Sequence, residues 1–421
     1  MIKPAAPATE EWTVPTHLAA LPPARGSQEP GPGSRRRLSP RLFRRLIERS
    51  SPVVESLDPR SSPLARWAPA KLFQPGAIQV PPRSVLVLRT DEVGDLAMTL
   101  PLLTAVRAAW PQARITLVMR GSRGDIMRGG SLVDEVIAWP GARPWRGSLL
   151  DQLRCWRFAR RLLRRVRPLR GRFDLAVLPR RDEEHFGARY VACAAAVRVV
   201  GFDPAGEVEE RDLITDRVGS GDPRAHPLRH SERMATAMGV TITPDAYDAP
   251  GLALIAPADH ESARSLLSSL IGTSGPLIAV TLGGAEEPTA YAAAINEVYA
   301  RVPVRVVLLG PASDQAVADE FIRALTPTIP LASAIGRAHV RAMLALLVGS
   351  DLYLGEFGDP MHLASSVATP CIAVTRRPTA DQAPWSAGSR VVAPNGIARA
   401  VIEVLTGTVE RADLRLDTFA P

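Results

Sequence analysis

The sequence predicts an α/β protein of two domains, each a parallel sheet alternating with helices, behind a basic, proline-rich extension. Short continuous apolar runs, SVLVLR at residues 84–89 first among them, have the composition of strands buried on both faces. Each such run is followed by apolar residues at helical spacing, so that strand, helix and strand succeed one another as in βαβ units. The alternation starts anew after the Pro- and Asp-rich cluster TPDAYDAPG at residues 243–251. The expected division is therefore 1–83 for the extension, 84–252 for the first domain and 253–421 for the second.

The extension holds 15 of the 39 prolines, and its 13 Lys and Arg against 6 Asp and Glu account for most of the chain's net charge of +8. Such a composition buries too little apolar area to offset the entropy of ordering, so residues 1–83 are expected to be disordered. One stretch differs: Pro40–Arg49, PRLFRRLIER, places Leu42, Phe43, Leu46 and Ile47 at helical spacing among arginines. It reads as a short solvated or docked helix, or as one resting on an anionic membrane surface at its inner face. The remainder of the chain is nearly neutral, which argues against a nucleic-acid partner. With 46% hydrophobic residues in 421 the chain can bury two cores. No apolar run approaches the roughly 18 residues of a membrane span, and the first residues lack a secretory core, so a cytoplasmic protein is expected. Cys155, Cys193 and Cys371 are too scattered for a disulfide framework or a zinc motif and read as reduced thiols.

In order, SVLVLR is the first strand, TDEVG a loop, and DLAMTLPLLTAVRAAWP a helix closed by Pro111. ARITLVMR and VDEVIAW are further strands, the Arg-rich stretch from Leu149 to Arg172 a helix, and FDLAVLPR and VRVVGFD strands again. In the second series the strands are PLIAVTLGG, VRVVLLGP, DLYLGEF and PCIAVTR, with helices at ADHESARSLLSSLIG, AYAAAINEVYARV, DQAVADEFIRAL, HVRAMLALLVGS and MHLASSVATP. Ligands of such sheets bind outside the carboxyl ends of the strands, which directs attention to the loops TDEVGD, LPRRDEE, TLGGAEE, LGPASD and GEFGDPMH.

The stretch SVLVLRTDEVGDLAMTLP resembles the opening of glycosyltransferase family 9, the heptosyltransferase-like enzymes, through Gly94, Asp95, Thr99, Leu100 and Pro101. FDLAVLPRRDEE, VVGFDP, PMHLA at residues 360–364, TPCIAV and PTADQAPW, ending at Trp385, follow in the family's order. The resemblance implies the GT-B architecture, two Rossmann-like domains facing across a cleft, and an inverting transfer from a nucleotide-sugar donor held by the second domain. The family's Lys and Trp after the first strand of that domain fall at Pro288 and Ala290. Its Asp-Thr/Ser-Gly falls at Phe357, Gly358 and Asp359, or with a one-residue shift begins at Glu356. Its acidic ribose contact falls at Asp314.

An inverting transfer needs a base beside the acceptor hydroxyl, and Asp95 at a strand end is the expected one; the plainer role for it is a helix cap. Gly94 reads as a turn or a point of close approach. Thr281, Gly283 and Gly284 end a strand and offer backbone N–H groups to a diphosphate, although a glycine pair is often only a turn. His362, with the helix amides beside it, is expected to hold a phosphate, and Glu356, Gly358 and Asp359 to complete the donor site. Arg120, Arg180 and Asp182 are the expected acceptor contacts. The run Asp182, Glu183, Glu184, His185 is adjacent in sequence and unsuited to converge on one metal, so neither metal nor cofactor is expected.

The function expected is transfer of a sugar, with heptose a candidate, from a nucleoside diphosphate to a glycan or glycolipid acceptor of the cell envelope such as lipopolysaccharide. The alternative is a non-catalytic relative that binds a nucleotide or glycan. A dinucleotide oxidoreductase is disfavoured, because TDEVGD lacks the three-glycine fingerprint.

Overall fold

The computed structural model describes residues 81–89, 92–139, 172–179, 192, 195–202, 214–219, 225–283, 288–376 and 383–407. Nearly all of the extension, Pro40–Arg49 included, lies outside them, as do the helix expected within 149–172, Cys155 and Cys193. Within them, two six-stranded parallel sheets form. The first holds β1 (Ser84–Arg89), β2 (Arg114–Arg120), β3 (Glu135–Trp139), β4 (Phe173–Leu178), β5 (Ala196–Phe202) and β6 (Asp216–Val218) in the order β3-β2-β1-β4-β5-β6. The second holds β7 (Leu277–Thr281), β8 (Arg305–Leu309), β9 (Leu331–Ser333), β10 (Leu352–Gly355), β11 (Cys371–Val374) and β12 (Arg390–Val392) in the order β12-β11-β10-β7-β8-β9.

Counted from its own first strand, each sheet has the doubly wound order third, second, first, fourth, fifth, sixth. The winding reverses between the first and fourth strands, β1 and β4 in one lobe, β7 and β10 in the other, and that switch point is where such sheets place their ligands. The central strands are runs of Val, Leu, Ile and Ala because both faces are covered: Val87 pairs with Leu117 and Val177, and Val280 with Leu354 and Leu308. Both lobes fasten the start of the first strand in the same way. Asp174 Oδ2 accepts from the N–H groups of Arg83 and Ser84 at 2.8 and 2.9 Å, and Asp351 Oδ2 accepts from Leu277 N–H at 2.8 Å.

The first crossover differs from expectation. One helix from Asp95 onward was predicted; instead α1 (Val93–Ala97) already contains Gly94, and a turn at Met98 and Thr99 separates it from α2 (Leu100–Ala109). Pro101 has no N–H to give the Ala97 carbonyl and its ring crowds the preceding turn; the Thr99 N–H turns to the Leu96 carbonyl at 2.8 Å, and Thr99 Oγ1 takes its place on the Asp95 carbonyl at 2.9 Å. Helix α3 (Pro227–Ala237), capped by His226, was not anticipated, nor were β6, β9 and β12, whose three residues are too few for a periodic pattern. The second lobe adds α4 (Pro257–Leu266), α5 (Pro288–Tyr299), α6 (Gln315–Ala324), α7 (Val340–Gly349), α8 (Asp359–Ser366) and α9 (Ile397–Thr406), the last also unanticipated.

The lobes are joined by a turn at Pro250–Leu254 that lies flush on α8: a Cβ on Gly251 would sit 2.5 Å from Ser366 Oγ and 2.9 Å from Val367 Cγ1. Arg341 of α7 adds a second tie, donating to the buried carboxylate of Asp259 at 2.9 Å and to the carbonyl of Arg128 in the first lobe. One apolar cluster runs through both lobes, from Leu100 and Leu117 to Leu277, Tyr353 and Met361. Alternate residues Ile278, Val280, Val306 and Leu308 face a second cluster under α5, α6 and α9, as strand periodicity requires. Cys371 is a buried free thiol. Among the described residues no helix is long and apolar enough to cross a membrane.

Candidate active site

Arg89 ends β1 at the switch point of the first lobe and is 5% exposed. Its guanidinium donates to the Pro179 carbonyl at the end of β4, at 3.2 Å, and lies 3.4 Å from Asp95 Oδ1. Asp95 is the third residue of α1, where its other oxygen accepts from Glu92 N–H at 3.3 Å in a capping box. It thus performs the cap role, while its side chain remains 36% exposed. Glu92 is met in turn by Arg123, whose Nε lies 2.6 Å away.

Gly94 is helical, and the approach its missing side chain allows comes from the other lobe. A Cβ there would stand 2.6 Å from Asp359 Oδ1, 2.9 Å from Asp359 Cα and 3.2 Å from His362 Cδ2. Gly94 N–H donates to Asp359 Oδ1 at 3.0 Å, so α1 and α8 touch backbone to backbone. Burial pushes the Asp359 carboxyl above its ordinary value; the Gly94 N–H pulls it back, and the facing Glu92 and Asp95 push it up again.

His362 is the fourth residue of α8, one turn inside the helix it was expected to head, because the helix begins at Asp359 with Pro360 in its first turn. It is 6% exposed and stacks on Trp385, ring centroids 5.8 Å apart and planes at 20°. Burial pulls its imidazole down to about 4; His226 acts the same way and Asp95 opposes it. His226 comes from the first lobe. Its Nδ1 accepts from Leu228 N–H at 3.2 Å, which leaves Nε2 to donate to the Ala383 carbonyl at 2.9 Å, and its ring meets Trp385 edge-on at 6.3 Å.

At the switch point of the second lobe, Thr281 Oγ1 and Tyr353 Oη share a 2.6 Å hydrogen bond inside the sheet. Gly355 permits it, since a Cβ there would collide with both oxygens. Burial pushes the Tyr353 phenol up, and that of the neighbouring Tyr291 likewise, with the negative charge of Glu356 adding to it. Beside this pair, Asp314 hangs over the strand ends: its Oδ2 would be 2.6 Å from a Cβ on Gly283 and 2.9 Å from one on Gly310. The two glycines therefore hold open a place that a carboxylate fills.

Of the residues singled out in the sequence, Gly94, Asp95, Asp359 and His362 meet at the contact of α1 with α8. Thr281, Gly283 and Asp314 cluster along the ends of β7 and β8, with Glu356 and Gly358 between the groups. Gly284, Arg180 and Asp182 lie outside the described residues, together with the Asp182–His185 run; Arg120 ends β2, and its side chain is outside them as well. Arg89, Tyr353, His226 and Trp385 were not expected as site residues. Arg89 carried a signal, a charge closing an otherwise apolar strand; Tyr353 becomes visible only once β7 and β10 pair, and His226 and Trp385 only when the lobes are docked. Among the described residues no group of three His, Cys, Asp or Glu side chains could hold a metal.

No protein-family model matches the sequence, and no curated protein matches it. Solved structures do match. The chain is similar to the glycosyl transferase family 9 structure from Veillonella parvula, at 17% identity and TM-score 0.61 over 77% of this chain and 98% of that one. It is similar to E. coli ADP-heptose LPS heptosyltransferase II at 20% identity and TM-score 0.56, over 77% and 99% of the two chains. The E. coli heptosyltransferase WaaC with ADP matches at 16% and 0.54, over 78% and 99%. Two doubly wound parallel lobes, together with the likeness to these structures over nearly their whole length, give this chain the GT-B fold of the family 9 and heptosyltransferase glycosyltransferases.

Proposed function

We propose that the protein is an inverting glycosyltransferase that moves a sugar from a nucleoside-diphosphate donor to a glycan or glycolipid acceptor. One observation carries it: the switch points of two like sheets face each other across α1 and α8, with an exposed carboxylate, Asp95, on one side and the Thr281, Gly283 and Asp314 cluster on the other. The donor lies on the second lobe. Asp314 accepts from the ribose hydroxyls, the loop at Gly283 and Gly284 presents backbone N–H groups to the diphosphate, and Glu356, Gly358, Asp359 and His362 line the sugar end. The acceptor lies on the first lobe, along Gly94 and the arginines Arg120 and Arg180, with Asp182.

In the reaction, the acceptor hydroxyl oxygen attacks the anomeric carbon as its proton passes to Asp95. The bond from that carbon to the diphosphate breaks, and the nucleoside diphosphate leaves with the electron pair. Arg89 orients Asp95 and balances its charge before the transfer. No metal is assigned to these steps. A structure of E. coli WaaC holds ADP and another ADP-2-deoxy-2-fluoro heptose, which makes ADP-heptose the first donor to try. Peripheral contact with anionic membrane would bring the enzyme to a lipid-linked acceptor.

Two observations favour the non-catalytic alternative. Asp95 is engaged by Arg89 and Glu92, and Pro288, which begins α5, offers no positive charge. A thermal-shift panel of nucleoside diphosphates, followed by turnover of the matching sugar donors, separates the two. Stabilisation with product supports transfer, stabilisation without product supports a nucleotide binder, and no stabilisation by any nucleotide refutes transfer and leaves only a glycan binder.

A further inference from the structure

Helix α1 is five residues long, too short to hold itself, since a helix below roughly 12–15 residues is marginal on its own. The core fixes its end, where Leu96 and Ala97 are each 1% exposed. Its beginning has less to rest on: Val93 is half-buried and Gly94 has no side chain to pack. The N–H groups of a first turn find no acceptor within their own helix and need one from outside. That turn also carries Asp95, whose side chain is held, among the described residues, at 3.3 Å from Glu92 N and 3.4 Å from Arg89. Both contacts are longer than the roughly 2.7–3.2 Å of a well-formed N–H···O bond. The direction of Asp95 is therefore set by the backbone of α1.

The outside acceptor comes from the other lobe. Asp359 Oδ1 lies 3.0 Å from Gly94 N. Burial raises the Asp359 carboxyl, and the N–H groups of Gly94 and Val93 both work against that rise. Helix α8 does not call for this side chain at its own start, where the N-cap is Gly358 and no side-chain cap is made. An acid in the first turn suits the dipole of α8 wherever its head lies, so α8 gives no reason for Asp359 to turn toward Gly94. Gly94 gives the reason, because a Cβ there would stand 2.6 Å from Asp359 Oδ1. A residue without a side chain on one lobe and a carboxylate on the other thus fit together one position before Asp95.

We propose that Asp359 is a positioning residue: from the second lobe it holds the first turn of α1, and with it Asp95, so that the base is set only while the lobes are docked. Parting of the lobes releases the acceptor of Gly94 and Val93, and the short turn frays. Docking restores it. The role of Asp95 as base rests on the reading of the protein as a sugar transferase; the hold of Asp359 on α1 does not.

The test uses the full chain. Asp359→Ala removes the acceptor and Asp359→Asn keeps it; Asp359→Ser, too short to reach Gly94, stands in if the alanine variant does not fold. Hydrogen exchange is read residue by residue. In Asp359→Ala the amides of Asp95, Leu96 and Met98, and not only those of Val93 and Gly94, are expected to exchange at least about tenfold faster, with α2 unchanged. Asp359→Asn is expected to restore most of the protection. Unchanged protection of α1, loss confined to Val93 and Gly94, or equal loss in α1 and α2 overturns the proposal. Turnover reads the consequence for Asp95. Asp359→Ala is expected to lower kcat roughly ten- to hundredfold, as a misplaced base does, with affinity for the bare diphosphate held and most of the loss recovered in Asp359→Asn. In an Asp95→Asn background the same Asp359→Ala change is expected to cost less than about threefold, because a residue that acts through Asp95 then has nothing left to position. Equal losses in the two backgrounds overturn the link to Asp95. If the wild type transfers no sugar, the proposed function fails, and hydrogen exchange alone decides whether Asp359 holds α1.

Discussion

The backbone N–H of Gly94 donates to the carboxylate of Asp359 at 3.0 Å, across 265 positions of sequence and from one lobe to the other. A carboxylate of the second lobe thus meets the first turn of a helix in the first lobe, and any side chain on Gly94 would keep the two apart. The obstacle includes Asp359 Cα, 2.9 Å from the position of a Cβ, which no rotamer change can move.

Gly94→Ala should therefore destabilise, although alanine in a helix is ordinarily worth about 1 kcal/mol over glycine. Overpacking of about 1–3 kcal/mol outweighs that gain. A lower Tm and a larger radius of gyration in solution scattering are expected; a variant at least as stable and compact as the wild type would show that the lobe contact is dispensable.

Asp95→Asn should lower turnover by roughly 10² to 10⁴, the usual worth of a positioned general base, with donor affinity held because the proposed donor site is on the other lobe. The stability cost should be modest, about 1–2 kcal/mol. Asparagine can still accept from Glu92 N–H, and Arg89 keeps the Pro179 carbonyl while losing the opposite charge. Wild-type turnover in the variant would leave Asp95 a cap and move the search for the base to Asp91 or Asp182.

The buried His362 makes stability depend on pH in a defined direction. Its folded value, about 4, lies below the ordinary 6.5, so its contribution is complete above pH 6.5 and is lost as pH falls toward 4. The interval corresponds to about 3 kcal/mol. Denaturant titrations of wild type and His362→Phe at pH 7 and pH 4 should show the wild type losing about that much more. Parallel losses would mean that His362 does not stay neutral through the interval. Asp359, raised, runs the other way: its contribution is present below the ordinary carboxyl value and lost as pH climbs through the raised one, so Asp359→Asn should gain on the wild type as pH rises.

Asp314→Ala tests the nucleotide end of the site. If its carboxylate accepts from ribose hydroxyls, affinity for nucleoside diphosphates should fall roughly ten- to hundredfold, the worth of hydrogen bonds to a charged group. The folded state should hardly change, since among the described residues the carboxylate accepts only from the exposed hydroxyl of Ser313, at 3.1 Å. Isothermal titration with ADP reads the first and a melting curve the second; unchanged ADP affinity would remove Asp314 from the donor site.

Local chemistry in the sequence determined the two α/β series, the central strands and the glycine that begins the first crossover, because continuous apolar runs and helical spacing report burial within a few residues. The three-residue strands β6, β9 and β12 left no such pattern, and Pro227 and His226, which begin α3, are read as easily as a loop. Only the tertiary structure decided that Gly94 faces Asp359 and that His362 stacks on Trp385 beside His226. It also decided that Thr281 turns its hydroxyl to Tyr353. These pairings join residues far apart in sequence or on different lobes. They exist because two docked sheets bring strand ends and helix starts to one contact, and no periodicity along the chain encodes which side chains will meet there.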